Sequence, residues 1–144
     1  MSAPTATDNR LLNILLVEDD EVDVMNVRRA FQKNNIANPL FVATNGLDGL
    51  AQLRGGDIPR DRRLVLLDLN MPQMNGIEFL RELRKDPELR PTPVVVLTTS
   101  NDDRDRIEAY DLNVAGYLLK PVTFTNFCEL MTTLNKYWAL VELP

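Results

Sequence analysis

Three four-residue apolar runs constrain this chain more than any other feature: Ile14-Leu15-Leu16-Val17, Leu64-Val65-Leu66-Leu67 and Val94-Val95-Val96-Leu97. Runs this short and unbroken suit strands buried on both faces, as in a parallel sheet. Leu40 to Ala43 and Ala115 to Leu119 are weaker strand candidates. Parallel strands need crossovers, and helical patterns fill every gap. Val24, Val27 and Phe31 repeat at helical spacing. Leu47, Leu50 and Ala51 follow the Asn45-Gly46 turn and stop at Gly55-Gly56. Ile77, Leu80 and Leu83 form a third helix ending near Asp86-Pro87, and Asp102 to Leu112 forms a charged, more exposed fourth. Thr123 to Trp138 carries Phe124, Phe127, Met131, Leu134 and Trp138 at helical spacing. Five strands alternating with five helices predict an α/β three-layer sandwich around a five-stranded parallel sheet, joined by right-handed crossovers.

The chain has 144 residues, which suits one domain with one sizeable core. Residues 1–11 open it with small, polar, aperiodic sequence and read as a flexible lead-in. The chain contains no His, which excludes Ser-His-Asp or Cys-His nucleophilic machinery and any imidazole metal ligand. A single Cys, Cys128, excludes an intramolecular disulfide and fits a reducing compartment. Lys+Arg total 16 against 21 Asp+Glu, so the net charge is −5, which argues against non-specific nucleic-acid binding. No apolar stretch approaches the roughly 18 residues of a membrane span, and the start lacks a signal-peptide core. A cytoplasmic location is expected. Carboxylates, hydroxyls and amines must carry the chemistry.

In an open α/β sheet the functional crevice lies beyond the carboxyl ends of the strands. After the first run come Glu18, Asp19 and Asp20; after the second, Asp68 and Asn70; after the third, Thr98, Thr99 and Ser100; after the last strand, Lys120. Each alone has an ordinary structural explanation, as a cap, a turn residue or a solvated charge. Their joint placement at four strand ends carries the argument. Clustered carboxylates recruit a hard cation with oxygen ligands, and Mg²⁺ fits better than zinc. Beside it, an ammonium and a hydroxyl can bind phosphoryl oxygens. These groups support phosphorylation of an Asp carboxylate to an acyl phosphate.

The same residues carry a resemblance. Ile14-Leu15-Leu16-Val17-Glu18-Asp19, Asp68-Leu69-Asn70-Met71-Pro72, Asn75-Gly76, Val96-Leu97-Thr98 and Gly116-Tyr117-Leu118-Leu119-Lys120-Pro121 resemble the receiver domain of two-component response regulators, the CheY-like family. The likeness covers about residues 12–138, leaving 139–144 as an apolar tail. It implies a flavodoxin-like (βα)5 fold, with Asp68 as phosphoacceptor. It further implies Mg²⁺ held by Glu18, Asp19, Asp68 and the backbone carbonyl of Asn70, Asp19 directly and Glu18 through water. Lys120 would pair with the phosphoryl group, Thr98 would be the switch hydroxyl, and Tyr117 the aromatic rotamer that follows it. The family also implies a cis peptide before Pro121. The missing His would then belong to a partner histidine kinase, and the chain would promote only its own phosphotransfer and dephosphorylation.

A narrower resemblance joins Glu21-Val22-Asp23, the 34–38 segment and the end from Tyr137-Trp138 to Val141-Glu142-Leu143-Pro144 to stand-alone regulators that partner bacterial phytochrome kinases. Trp138, Leu140, Val141 and Leu143 make an apolar patch of the kind that marks an interface, and the resemblance implies a homodimer through the last helices, the fifth strand and the tail. The opposing reading folds the tail back on its own domain. Six residues follow Trp138, so no output domain in cis is expected.

Two details depart from the common pattern. Thr99 stands where a smaller Ala or Ser is usual, and its methyl narrows access for small phosphodonors. Gly55 to Arg63 is a long basic loop that reads as solvated surface without an assigned role. Other classes stay open. A haloacid-dehalogenase-type, Mg²⁺-dependent phosphatase would need an acid/base where Asn70 stands. A flavodoxin-like electron carrier would need hydroxyl- and Gly-rich loops where the carboxylates stand. A phosphorylation-independent receiver scaffold would usually have lost the acceptor and the Lys.

Overall fold

The computed structural model describes residues 11–143; the predicted lead-in therefore lies, except for Leu11, outside the described residues. Strands β1 (Asn13–Val17), β2 (Leu40–Ala43), β3 (Arg63–Leu67), β4 (Val94–Thr98) and β5 (Gly116–Leu119) alternate with helices. The helices are α1 (Glu21–Lys33), α2 (Gly46–Gly55), α3 (Gly76–Lys85), α4 (Asp103–Asp111) and α5 (Phe124–Trp138). All strand pairs are parallel, in the order β2-β1-β3-β4-β5. This is the flavodoxin-like arrangement, whose order reverses between β1 and β3.

The apolar runs are unbroken because both faces of the sheet are covered. Successive side chains on a strand point to opposite sides. Leu15, Val17, Val65, Leu67, Val94 and Val96 pack with Leu50, Leu53, Phe79, Leu80, Leu83 and Ala109 of α2, α3 and α4. Ile14, Leu16, Leu64, Leu66, Val95 and Leu97 pack on the other side with Val27, Ala30 and Phe31 of α1 and Phe127, Cys128 and Met131 of α5. Helix α4 buries only Ala109, in keeping with its charged sequence.

Local chemistry sets the helix starts. Asp20, Asn45, Asn75, Asp102 and Thr123 are N-caps whose side chains accept backbone amides of the first turn. Asn75 and Glu78 complete a reciprocal capping box.

Two expectations, the solvated loop and the cis peptide, are corrected. The loop before β3 is not simply solvated surface, since Ile58 is fully buried and Arg63 is buried beneath it. The Arg63 guanidinium donates to the Pro59 and Ile58 carbonyls at 2.7 and 2.9 Å, so burial of its charge is offset by hydrogen bonds. The described residues contain no cis peptide, so the bond before Pro121 is trans, the isomer that X-Pro bonds favour by about 0.5–1 kcal/mol. The tail after α5 is mixed: Leu143 packs against the α1–α5 side of the core, whereas Leu140 is exposed.

Candidate functional site

Because all five strands run the same way, their carboxyl ends share one edge of the sheet. That edge gathers Glu18 beyond β1, Asp68 beyond β3, Thr98 at the end of β4 and Lys120 beyond β5. Glu18, Asp68 and Thr98 are buried, and Asp19 is exposed at the mouth. Asn70 Nδ2 reaches the hydroxyl of exposed Thr99 at 3.3 Å.

Both oxygens of Asp68 are engaged. Oδ1 accepts from the Thr98 hydroxyl at 2.8 Å and from the Asn70 backbone amide at 3.2 Å. Oδ2 accepts from Lys120 Nζ at 3.3 Å. Beneath the loop, α3 comes so close that a Cβ on Gly76 would stand 2.7 Å from the Asp68 carbonyl oxygen. Thr98 Oγ1 also accepts from the Ser100 amide at 3.2 Å. The Ser100 carbonyl accepts from the Tyr117 hydroxyl at 2.9 Å, and the Ser100 hydroxyl donates to Asp105 of α4 at 2.6 Å. A continuous chain of bonds thus runs from Asp68 through Thr98 and Ser100 to Tyr117 on β5 and to α4.

Lys120 meets three carboxylates: Glu18 at 2.6 Å, Asp23 at 2.7 Å and Asp68 at 3.3 Å. Burial works to lower its pKa, but the hydrogen bonds and charges of Asp23, Glu18 and Asp68 outweigh burial and hold the ammonium above its ordinary range. Burial pushes the Glu18 carboxyl up to about 8; the negative charge of Asp68 adds to this, and Lys120 opposes it. Glu18, Asp19 and Asp68 each offer a carboxylate oxygen, all within 4.8 Å of one another. One ammonium cannot balance these carboxylates and Asp23 together. A hard divalent cation with oxygen ligands fits the donor set.

The predicted residues Glu18, Asp19, Asp68, Asn70, Thr98 and Lys120 therefore meet at one place, with Tyr117 linked to them through Ser100. Asp23 is the member that reasoning from strand ends missed. It lies in the first turn of α1, and its spacing from Asp20 announces only an acidic helix start.

The residues at 14–132 match the model of the response regulator receiver domain. The chain is 36% identical over 135 residues to the response regulator Rcp1 of Synechocystis, covering 91% of this chain and 92% of Rcp1. A structure of Rcp1 in its Mn²⁺-bound form aligns with a TM-score of 0.81 at 34% identity, over 92% of this chain and 99% of that one. The phosphorylated cyanobacterial phytochrome response regulator RcpA aligns with a TM-score of 0.83 at 30% identity, over 93% and 99% of the two chains. A probable methanogenesis regulatory protein, FilR2 of Methanothrix harundinacea, is 37% identical over 130 residues, or 87% of this chain and 82% of FilR2. With strand order, strand-end chemistry and these likenesses in agreement, the chain belongs to the response regulator receiver domain family.

Proposed function

We propose that Asp68 accepts a phosphoryl group from the phosphohistidine of a sensor histidine kinase, and that a bacterial phytochrome is the kinase. The observation that carries this reading is the two-sided grip on the Asp68 carboxylate, by the Thr98 hydroxyl at 2.8 Å and the Lys120 ammonium at 3.3 Å. A carboxylate oxygen of Asp68 attacks phosphorus, a P–O bond forms, and the P–N bond to imidazole breaks. The departing nitrogen keeps the electron pair and takes a proton from solvent. Lys120 follows the phosphoryl group with a charge-assisted hydrogen bond, and Thr98 turns its donor to a phosphoryl oxygen. Positioning and charge do the work.

A divalent cation, which we propose is Mg²⁺, would be held by Asp19, Asp68, the Asn70 backbone carbonyl and, through water, Glu18. When bound, it neutralises charge between the carboxylates and the phosphoryl group. The Mn²⁺-bound form of Rcp1 supports a divalent ion here. The likeness to RcpA, a phytochrome response regulator, supports the choice of kinase.

The bond chain from Thr98 through Ser100 to Tyr117 and α4 supports a switch in which movement of the Thr98 hydroxyl reaches β5 and α4. The receiver unit would span 12–138, with 139–144 as a tail. Tyr137 and Leu140 are exposed, and Tyr137 lines a cleft with Gly116 and Leu118 of edge strand β5, which supports a homodimer through α5, β5 and the tail. The chain would transmit a signal in the cytoplasm, turning over no external substrate and binding no nucleic acid. No helix of the described residues is long and apolar enough to cross a membrane.

The test is phosphoryl incorporation from a radiolabelled kinase. Asp68→Asn should abolish it, and full labelling of that variant would remove the assignment.

A further inference from the structure

The proposed transfer leaves one contact unused. An ammonium has three N–H donors, and those of Lys120 are shared among Glu18, Asp23 and Asp68, with the tie to Asp68 the longest at 3.3 Å. Asp23 takes its share at 2.7 Å, from a position fixed early in α1, where the Asp20 side chain accepts its backbone amide. The Asp23 side chain is 34% exposed, against 11% for Lys120 and 7% for Asp68. Asp23 therefore holds the ammonium from the solvent side, while Asp68 meets it from the interior.

We propose that Asp23 is a positioning residue that competes with the phosphoryl group for Lys120 and so weakens the pocket's hold on that group. The proposal rests on the reading of Asp68 as phosphoacceptor. A charge-assisted bond of this length is among the stronger ones. Lys120 must loosen it to turn fully toward a phosphoryl oxygen. A carboxylate so near also opposes the arriving dianion directly. Both effects have the same sign, so neutralising Asp23 tightens binding.

The experiment is a beryllofluoride titration with saturating Mg²⁺, followed by fluorine NMR. Asp23→Asn should bind about tenfold more tightly than the unaltered chain, the size expected from redirecting one hydrogen bond to a charged group. Asp23→Ser, which also suits a helix start, should gain similarly, and Asp23→Glu should return to near the original affinity. Glu21→Gln removes an exposed charge from the same helix turn and should change affinity less than about twofold. Equal or weaker binding by both Asp23→Asn and Asp23→Ser overturns the proposal. An equal gain in Glu21→Gln overturns it too, because bulk charge would then suffice. If the unaltered chain takes up beryllofluoride but the Asp23 variants gain nothing, only the role of Asp23 fails. If the unaltered chain takes up none, the Asp68 reading fails and the proposal with it.

Discussion

The Thr98 hydroxyl donates to Asp68 Oδ1 at 2.8 Å across two neighbouring strands, although 30 residues separate them in the chain. Thr98 is fully buried, so its hydroxyl has no water to turn to if Asp68 is taken away. The bond joins the proposed acceptor to the proposed switch.

Thr98→Val keeps the shape and removes this donor. The Asp68 oxygen then retains only the Asn70 amide at 3.2 Å, and the Ser100 amide loses its acceptor. We expect a stability loss of about 1–2 kcal/mol in urea unfolding. Phosphoryl incorporation should slow by at least about tenfold, the loss of one hydrogen bond to a developing charge. Unchanged labelling would separate Thr98 from the chemistry.

Metal binding should release a proton. Burial raises the Glu18 carboxyl from 4.5 to about 8. In the metal-free protein it therefore holds, between those values, a proton that the unfolded chain has given up. Stability consequently falls as pH rises through that window. A cation that needs the carboxylate ionised must displace the proton, so its affinity should rise up to about pH 8 and then level off. Calorimetric Mg²⁺ titrations in buffers of different ionisation enthalpy check this, and a flat affinity with no proton release would contradict it.

Gly76 is predicted to tolerate no side chain. Its Cβ would lie 2.6 Å from Leu69 Cα and 2.7 Å from the Asp68 carbonyl oxygen, both backbone atoms that cannot step aside alone. Gly76→Ala should cost about 1–3 kcal/mol, as overpacking does. It should also weaken beryllofluoride binding by shifting the Asp68 loop. Urea unfolding and fluorine NMR read the two effects separately.

Arg84 makes a contrasting case, structural and remote from the chemistry. Its guanidinium donates to the carbonyls of Leu112, Arg90 and Thr92 at 2.7 Å and of Asn113 at 3.1 Å, tying the end of α3 to the turns before β4 and β5. Arg84→Met keeps much of the stem and removes every donor. The expected loss is about 3 kcal/mol by urea unfolding, with phosphoryl labelling unchanged in the folded fraction.

The elements themselves were legible in the chain. Strands covered on both faces leave unbroken apolar runs, and helices that cover them repeat at helical spacing, so Ile14 to Val17 and Phe124 to Trp138 announced their own states. Glu18, Asp68, Thr98 and Lys120 could be found together because parallel strands put their carboxyl ends on one edge. Only the tertiary structure decided what no local pattern encodes. Burial of Ile58 depends on core side chains contributed by other elements, so its own loop reads as solvated. The Lys120–Asp23 pair spans 97 residues and exists because the strand order, with α1 and α5 packed on the same face of the sheet, brings the residue after β5 within reach of α1. Sequence periodicity reports which face of an element is covered; which distant side chains then share a donor depends on how the sheet is ordered.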